Sequence, residues 1–304
     1  MLDGAALGGR EGRLGHGLRI IAGVSREATL AADWLGASRR AAEALRDILH
    51  ERPTTAERVL ETGDRGEGGD RTLQIDADAE AAVLAELQHL HDRGARFTVV
   101  SEERGTVDFG DPGILVVVDP IDGSINAKRG LPHHSISIAV ADGPTMADVF
   151  FGFVYDYGPD EEWSATRGGG AFLDGVELPR VAAERRDAAG KLEVLGIESA
   201  DPRWVHEAAA DLAASAHRLR ALGTIAVTLC QVAAARMDGM VTLKRTRAVD
   251  AAAGQLIVRE AGGHVAFIGF DDPLSAPLDT EPRSPLIAAR TADALTALAR
   301  IPKV

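Results

Sequence analysis

The chain has 304 residues, of which 45% are hydrophobic and 26% are charged, and its formal net charge is −13. This length and apolar content favour one large or two closely packed globular domains and exclude a disordered chain. The negative charge argues against a nucleic-acid or anionic-membrane surface, since both require clustered lysine and arginine.

The chain has one cysteine, Cys230, which lies in an apolar segment. An intramolecular disulfide and a thiolate zinc cluster are therefore excluded. No apolar run approaches the roughly 18 residues that span a bilayer, and no signal-peptide core is present. We expect a cytoplasmic protein that does not enter the membrane. The glycine-rich residues 1–25 show no sustained period and predict a flexible leader.

The first periodic segment is amphipathic, and its apolar spacing predicts a helix from Arg26 to His50. A glycine-rich loop at 63–70 follows, too irregular for a phosphate-binding P-loop. An alternating strand from Thr72 to Asp76 is predicted next, then a helix from about Ala77 to His91. Asp76 is the natural N-cap of that helix, and capping is sufficient to explain it.

Two apolar strands then end in acids. Phe97 to Val100 precedes Glu102, and the β-branched run Ile114 to Val118 precedes Asp119 and Asp122. A surface turn is one interpretation of Asp-Pro-Ile-Asp-Gly. The buried strand before it favours a ligand site, because open α/β sheets bind ligands at the carboxyl ends of their strands. Converging carboxylates repel each other unless a cation lies between them.

Gly123 and Ser124 follow these acids directly. If a helix begins there, their N–H groups and the Ser124 hydroxyl form an anion cradle. The sequence therefore predicts a cation site next to an anion site.

The remaining chain alternates strands and helices around a polar, alanine-rich linker at 180–192. Predicted strands are Ser135–Val140, Val149–Tyr155, Glu162–Ala165, Ala171–Leu173, Lys191–Gly196, Met240–Leu243 and Pro285–Ala288. Predicted helices are Pro202–Leu219, Thr224–Met237, Arg247–Gly262 and Ala292–Ala299. Asp250 lies at the start of the third of these helices, where a lone acid would be a cap.

Four acids stand in recognisable contexts. Glu102 lies in Ser-Glu-Glu-x-Gly, Asp119 and Asp122 in Asp-Pro-Ile-Asp-Gly-Ser, and Asp250 in Val-Asp-Ala-Ala-Ala-Gly. In this order they resemble the inositol monophosphatase superfamily of magnesium-dependent, lithium-sensitive sugar and inositol phosphatases, which includes archaeal-type fructose-1,6-bisphosphatases. The resemblance extends from about residue 28 to the end of the chain. Further matching segments are Thr72–Glu80, Gly130–Pro132, Ser135–Ala139, Arg167–Gly175 and Arg259–Gly263.

The resemblance implies a layered αβαβα sandwich, with an α+β subdomain at 26–192 and an α/β subdomain at 193–304. It also implies a site between the subdomains and, frequently, a homodimer. Position by position, the first metal would take Glu102, Asp119 and the Ile121 carbonyl, and the second Asp119, Asp122 and Asp250. Gly123 and Ser124 would hold phosphate, Ser124 would help to activate water, and Asp76 would assist a third metal and the nucleophile. Asp70 resembles a mobile-loop acid of archaeal members.

An all-oxygen site suits Mg²⁺, with Mn²⁺ as a substitute. Hydrolysis of a phosphate monoester requires charge neutralisation at the phosphoryl oxygens and an activated water, and metals can supply both. The expected mechanism is in-line attack by water oriented by Glu102 and Ser124, without a covalent phospho-enzyme.

Two departures from the family pattern bear on the substrate. Val249 stands where tryptophan usually precedes the last aspartate, and Leu243 stands where inositol-preferring members carry an acid. Basic residues surround Leu243, among them Lys244, Arg245 and Arg247. They favour a second phosphate, as in fructose 1,6-bisphosphate, over inositol monophosphate, although solvated surface charge also explains them. Two alternatives remain, a 3′-phosphoadenosine-type nucleotide phosphatase and a non-catalytic regulatory member that binds metal or phosphate.

Overall fold

The computed structural model describes residues 26–65, 71–180 and 183–302. Residues 1–25 and Asp70 lie outside the described residues. The described chain contains a seven-stranded sheet, a five-stranded sheet and a two-stranded hairpin. In these ranges no helix combines the length and the apolar character needed to cross a membrane.

The helices and strands follow the sequence pattern closely. The helices are α1 Trp34–Glu51, α2 Thr55–Arg58, α3 Gln74–Asp92, α4 Ser124–Arg129, α5 Pro202–Ser215, α6 Ile225–Ala233, α7 Ala248–Glu260 and α8 Ala292–Leu298. The strands are β1 Glu61–Arg65, β2 Arg71–Leu73, β3 Phe97–Ser101, β4 Gly105–Asp122, β5 Ser135–Ala141, β6 Val149–Asp156, β7 Glu161–Thr166, β8 Gly170–Leu173, β9 Val176–Glu177, β10 Leu192–Glu198, β11 Ala216–Arg220, β12 Gly239–Thr242, β13 His264–Phe267 and β14 Leu286–Ala289.

The seven-stranded sheet is buried on both faces because its strands place alternate residues on opposite sides. Val116 and Val118 pack with Trp34 of α1 and Val83 of α3. Val117, between them, packs instead with residues of α6 and α7. The continuous apolar run of β4 is therefore explained by two separate layers of helix.

The five-stranded sheet, in the order β11-β10-β12-β14-β13, covers the other side of α6 and α7. Met240 and Ala288 face these central helices. Val241 and Ile287 face the opposite way, with Leu212 of α5 and the α8 helix. The order of layers is helix, sheet, helix, sheet, helix, so the predicted αβαβα architecture is confirmed.

The end of β4 carries an irregularity that bears directly on the site. Asp119 lies opposite Ser137 and Asp122 lies opposite Ser135, so three steps on β4 match two steps on β5. In a regular strand, residues three apart would point to opposite faces. One extra residue in a bulge changes this alternation and lets both side chains reach the same end of the sheet.

Two sequence predictions are corrected by the structure. The helix predicted from Arg26 is interrupted, and α1 begins after Asp33, whose side chain accepts a hydrogen bond from the Gly36 N–H at 2.9 Å. The helix predicted to reach Leu219 ends at Ser215, because the next residues, Ala216 to Arg220, pair in parallel with β10. Pairing with an open sheet edge overrides a local helical tendency. The strand β13 was not predicted.

Asp76 is also placed differently. The helix α3 begins at Gln74, so Asp76 lies in its first turn and is not the N-cap. Its side chain is buried and lies 3.8 Å from the Lys128 ammonium group.

The contact between β6 and α7 gives a test of how the fold positions Asp250. A Cβ atom at Gly152 would lie 2.8 Å from the Ala253 carbonyl oxygen, a backbone atom of α7. We expect Gly152→Ala to push α7 away and to lower the free energy of unfolding by about 1–3 kcal/mol. Urea unfolding measures this loss.

The matched control is Gly168→Ala, in an exposed turn where a Cβ meets nothing within 4 Å but φ is +74°. That variant should cost about 1 kcal/mol or less, since only backbone strain changes. Equal stability of wild type and Gly152→Ala would contradict the close packing of α7 on the sheet.

Candidate active site

Three acids that are distant in the chain meet at one point. Glu102 follows β3, Asp119 lies near the end of β4, and Asp250 lies in the first turn of α7. Each offers one carboxylate oxygen, and these three oxygens lie within 4.8 Å of one another. Asp119 is 1% exposed and Asp250 is 8% exposed, so two of the three are removed from solvent.

Asp122 is held beside this cluster by the start of α6. Its Oδ2 accepts hydrogen bonds from the Thr224 hydroxyl and from the Ala226 N–H at 2.7 Å. Thr224 is the N-cap of α6, and its hydroxyl accepts from the Val227 N–H. The start of α6 therefore has partners for its free N–H groups, and the same hydrogen bonds orient Asp122.

The short segment between the two aspartates is tied to the first of them. The Ile121 N–H donates to Asp119 Oδ1 at 3.0 Å, and Ile121 is buried. Gly123, with φ 86°, turns the chain into α4, whose first residue is Ser124. A Cβ at Gly123 would lie 3.0 Å from the His133 carbonyl and 3.1 Å from that of Gly223, so both space and backbone angle require glycine.

Burial and mutual repulsion raise the pKa of three acids, Asp119, Asp122 and Glu102. Burial, followed by repulsion from Glu102 and Asp122, raises the pKa of Asp119 well above its ordinary value. Burial and then Asp250 raise the pKa of Asp122 to about 8, against the opposing hydrogen bonds from Thr224 and Ala226. Burial also raises the pKa of Glu102, which Arg247 counteracts. A divalent cation bound among these acids would oppose these shifts, because it favours the ionised carboxylates.

Arg247 lies inside this cluster. Its Nη1 is 2.7 Å from Glu102 Oε1, and its Nη2 is 3.2 Å from Asp250 Oδ1. Burial alone would lower the pKa of Arg247. Attraction to Asp250 and Glu102 outweighs burial, so the pKa lies above its ordinary value. Arg245, two residues earlier, is exposed. Of the basic residues that the sequence suggested for a second phosphate, Arg247 therefore contacts the acids of the site and Arg245 lies on the surface.

A cavity opens beside the acids. It is lined by Asp76, Glu102, Glu103, Pro120, Ile121, Ser124 and Lys128. Lys128 Nζ lies 3.8 Å from Asp76 Oδ2. Lys128 follows Ser124 by four residues in α4, and this spacing brings the two side chains to the same side of the helix. The chain thus supplies carboxylates, a hydroxyl and an ammonium group around one small space.

Two further buried acids hold the segments that carry the site. Glu80 accepts from the Ser101 hydroxyl and from the Arg104 N–H at 3.1 Å, and so fixes the turn that contains Glu102. Glu198 accepts from the Leu222 and Gly223 N–H groups at 3.0 Å. Burial raises the pKa of Glu198 to about 7.

Sequence reasoning missed the roles of Glu80, Glu198 and Lys128. Glu198 ends the strand β10, as Asp122 ends β4, so an acid at a strand end was an available signal. Lys128 was recognisable from its spacing to Ser124. For Glu80 no local signal existed, because its partners lie in a different element.

The donor set fits a hard divalent cation. The converging ligand atoms are carboxylate oxygens, which suit Mg²⁺, Mn²⁺ or Ca²⁺ and give no preference for zinc or copper. Burial raises the pKa of Asp119 and Asp122, and a bound divalent cation would favour their ionised forms. The predicted ligands Glu102, Asp119 and Asp250 are brought together, and Asp122 and Ile121 lie adjacent.

Known proteins resemble this chain in both sequence and fold. A fructose-1,6-bisphosphatase/inositol-1-monophosphatase of Methanothermobacter thermautotrophicus is 32% identical over 235 residues, covering 74% of this chain and 80% of the relative. The Nus factor SuhB of Pasteurella multocida is 36% identical over 200 residues, covering 64% of this chain and 71% of the relative.

A solved structure shows the same fold. The MJ0109 gene product, described as inositol monophosphatase-fructose 1,6 bisphosphatase, superimposes with a TM-score of 0.74 over 88% of this chain and 99% of that one, at 24% identity. The sequence pattern of the inositol monophosphatase family matches residues 28–301. The chain belongs to the inositol monophosphatase family.

Proposed function

We propose that the protein is a Mg²⁺-dependent phosphatase that hydrolyses a phosphate monoester of a small sugar or inositol. The observation that carries this proposal is the convergence of Glu102, Asp119 and Asp250, with oxygens within 4.8 Å, beside a cavity that Ser124 also lines. The names of the relatives and the family support a phosphatase. We further propose Mg²⁺ as the metal and a small sugar or inositol phosphate as the substrate.

In this proposal the four acids and the Ile121 carbonyl hold the cations. Bound Mg²⁺ supplies charge neutralisation at the phosphoryl oxygens and lowers the pKa of water. Glu102 and the Ser124 hydroxyl orient the attacking water for in-line displacement. Gly123 and Ser124 offer N–H groups to the phosphate, and Asp76, on the cavity wall, assists in placing the nucleophile.

Lys128 adds a function that the sequence did not suggest. Its ammonium group shares the cavity with Ser124 and lies 3.8 Å from Asp76. A phosphate monoester is close to a dianion, and a lysine at the cavity stabilises it as a mobile point charge. We expect Lys128 to orient the phosphate and to limit repulsion from Asp76.

The substrate we favour is a sugar bisphosphate such as fructose 1,6-bisphosphate. Leu243 is apolar and buried in the core. This position therefore has no carboxylate that could accept hydrogen bonds from inositol hydroxyls. Lys244 and Arg245 are exposed beside it and remain available to a second phosphate. Inositol 1-phosphate is the next candidate, because relatives carry both activities in their names.

A role without catalysis is the second candidate. Relatives named Nus factor SuhB are as similar to this chain as those named phosphatases, and their name states no hydrolytic activity. The complete set of acids supports the enzymatic proposal, because a chain that had abandoned hydrolysis would not need four mutually repelling carboxylates, three of them buried.

The first prediction concerns Asp119. Asp119→Asn should lower kcat/KM for sugar phosphates on the order of a hundredfold or more, since a buried anionic ligand is removed. Phosphate release in millimolar Mg²⁺ measures the loss. Asp271→Asn, an exposed aspartate substituted in the same way, is the control and should retain full activity. Activity unchanged in Asp119→Asn would reject the phosphatase proposal.

The second prediction concerns pH. A carboxyl whose folded pKa lies above its ordinary value of about 4 stabilises the protein fully below that value and loses this contribution as pH rises. The pKa of Asp122 is about 8, and that of Asp119 is also raised. The metal-free protein should therefore lose stability as the pH rises from about 4 to about 8. The loss should reach up to about 1.4 kcal/mol per pH unit and carboxyl.

Chemical unfolding at several pH values in a chelator measures this slope. Asp122→Asn, which can still accept from Thr224 and Ala226, should give a shallower slope than wild type. Millimolar Mg²⁺ should flatten the slope for wild type. Stability that does not fall with rising pH in the chelator would show that the carboxylates are not strained by charge.

The third prediction concerns the second phosphate. Arg245→Gln should raise KM for fructose 1,6-bisphosphate by roughly threefold to tenfold, since one exposed charge pair contributes about 1 kcal/mol. KM for inositol 1-phosphate should not change, because that substrate has no second phosphate. An equal effect on both substrates would remove the preference for a bisphosphate.

A further inference from the structure

Arg247 holds two of the acids that would bind the cation. It is the N-cap residue of α7, three positions before Asp250. Its guanidinium contacts Glu102 at 2.7 Å and Asp250 at 3.2 Å with separate nitrogens. The ion pairs therefore link a turn after β3 to the first turn of α7, which belong to different halves of the chain.

The second cation at the site lies elsewhere. Lys128 is 3.8 Å from Asp76 on the cavity wall, whereas Arg247 faces the cluster of Glu102, Asp119 and Asp250. Of the four acids, Glu102 and Asp250 lie within bonding distance of the Arg247 guanidinium, and Asp119 lies in the same cluster. Buried carboxylates without a counter-charge strongly destabilise a fold, so this guanidinium stabilises the cluster before any metal arrives.

We propose that Arg247 competes with the divalent cation for Glu102 and Asp250, so that it acts as an internal counter-ion that metal binding must displace or repel. The inference rests on the proposed function, because it assumes that these acids bind a metal. Two cations on one carboxylate cluster repel each other even if they take different oxygens. Arg247 would thereby weaken metal binding while it stabilises the metal-free protein.

The opposite role is a positioning one. Arg247 could orient Glu102 and Asp250 while their other oxygens bind metal, and removal of such a partner typically weakens metal binding by about 10- to 100-fold. The two roles predict changes of affinity in opposite directions. Metal affinity is therefore the measurement that decides between them, and it does not depend on turnover.

The experiment compares the full-length wild type with Arg247→Met, which keeps an unbranched apolar stem and removes the charged guanidinium. Mn²⁺ binding is measured by electron paramagnetic resonance at a pH above 8, where protons compete less with the metal. We expect Arg247→Met to bind Mn²⁺ about tenfold more tightly, because the nearby charge is gone. Its thermal midpoint in a chelator should fall, and Mn²⁺ should restore it.

Two further variants serve as controls. Arg236→Met removes an arginine that forms equivalent ion pairs with Glu161 at 2.7 and 2.8 Å and should leave Mn²⁺ affinity unchanged. Arg247→Lys keeps the charge and loses the planar fork. It should bind Mn²⁺ with wild-type affinity if charge is decisive, and more weakly if the fork positions the acids.

Equal or weaker Mn²⁺ binding by Arg247→Met overturns the inference. If that variant does not fold without metal, weaker binding by Arg247→Lys overturns it as well, and wild-type affinity supports it. Wild-type protein that binds no Mn²⁺ at millimolar concentration would instead reject the metal centre of the proposed function. The two failures are thus distinguishable.

Discussion

The repulsion among buried carboxylates is the constraint on which this site depends. Glu102, Asp119 and Asp250 come within 4.8 Å of one another, and Asp122 is fixed alongside. Such a group is unfavourable unless it is protonated or accompanied by cations. The fold therefore favours the binding of a positive charge at this acidic cluster. In the described structure Arg247 neutralises part of the negative charge through its ion pairs with Glu102 and Asp250. In the proposed enzyme Mg²⁺ neutralises the remainder.

The central helix layer determines how the acids meet. The start of α6 donates to Asp122, and the first turn of α7 carries Asp250. Both helices are packed between the two sheets, where few side chains can move. Close backbone contact at Gly152 sets the height of α7 above the sheet. Geometry at the site is thus a consequence of core packing, and precise positioning is what catalysis by bound cations requires.

Membership of the inositol monophosphatase family narrows the chemistry without fixing the substrate. Relatives of similar identity are named for phosphatase activity or as Nus factors. The convergence of Glu102, Asp119 and Asp250 supports the proposed hydrolysis. Leu243 is buried, and Arg245 close to it in the chain is exposed. On this basis we propose a substrate with a second anionic group.

The sequence by itself determined most helices and strands and marked acids at strand ends, because apolar periodicity and such acids are local signals. Its resemblance to a known family supplied the layered architecture and the metal-ligand set. Tertiary structure alone decided that Asp119 and Asp122 reach one side, since a bulge depends on the neighbouring strand. It also decided that β11 is a strand. Finally, it turned Arg247 inward and left Arg245 exposed, because a loop without periodicity carries no information about direction, and only contacts with Glu102 and Asp250 supply it.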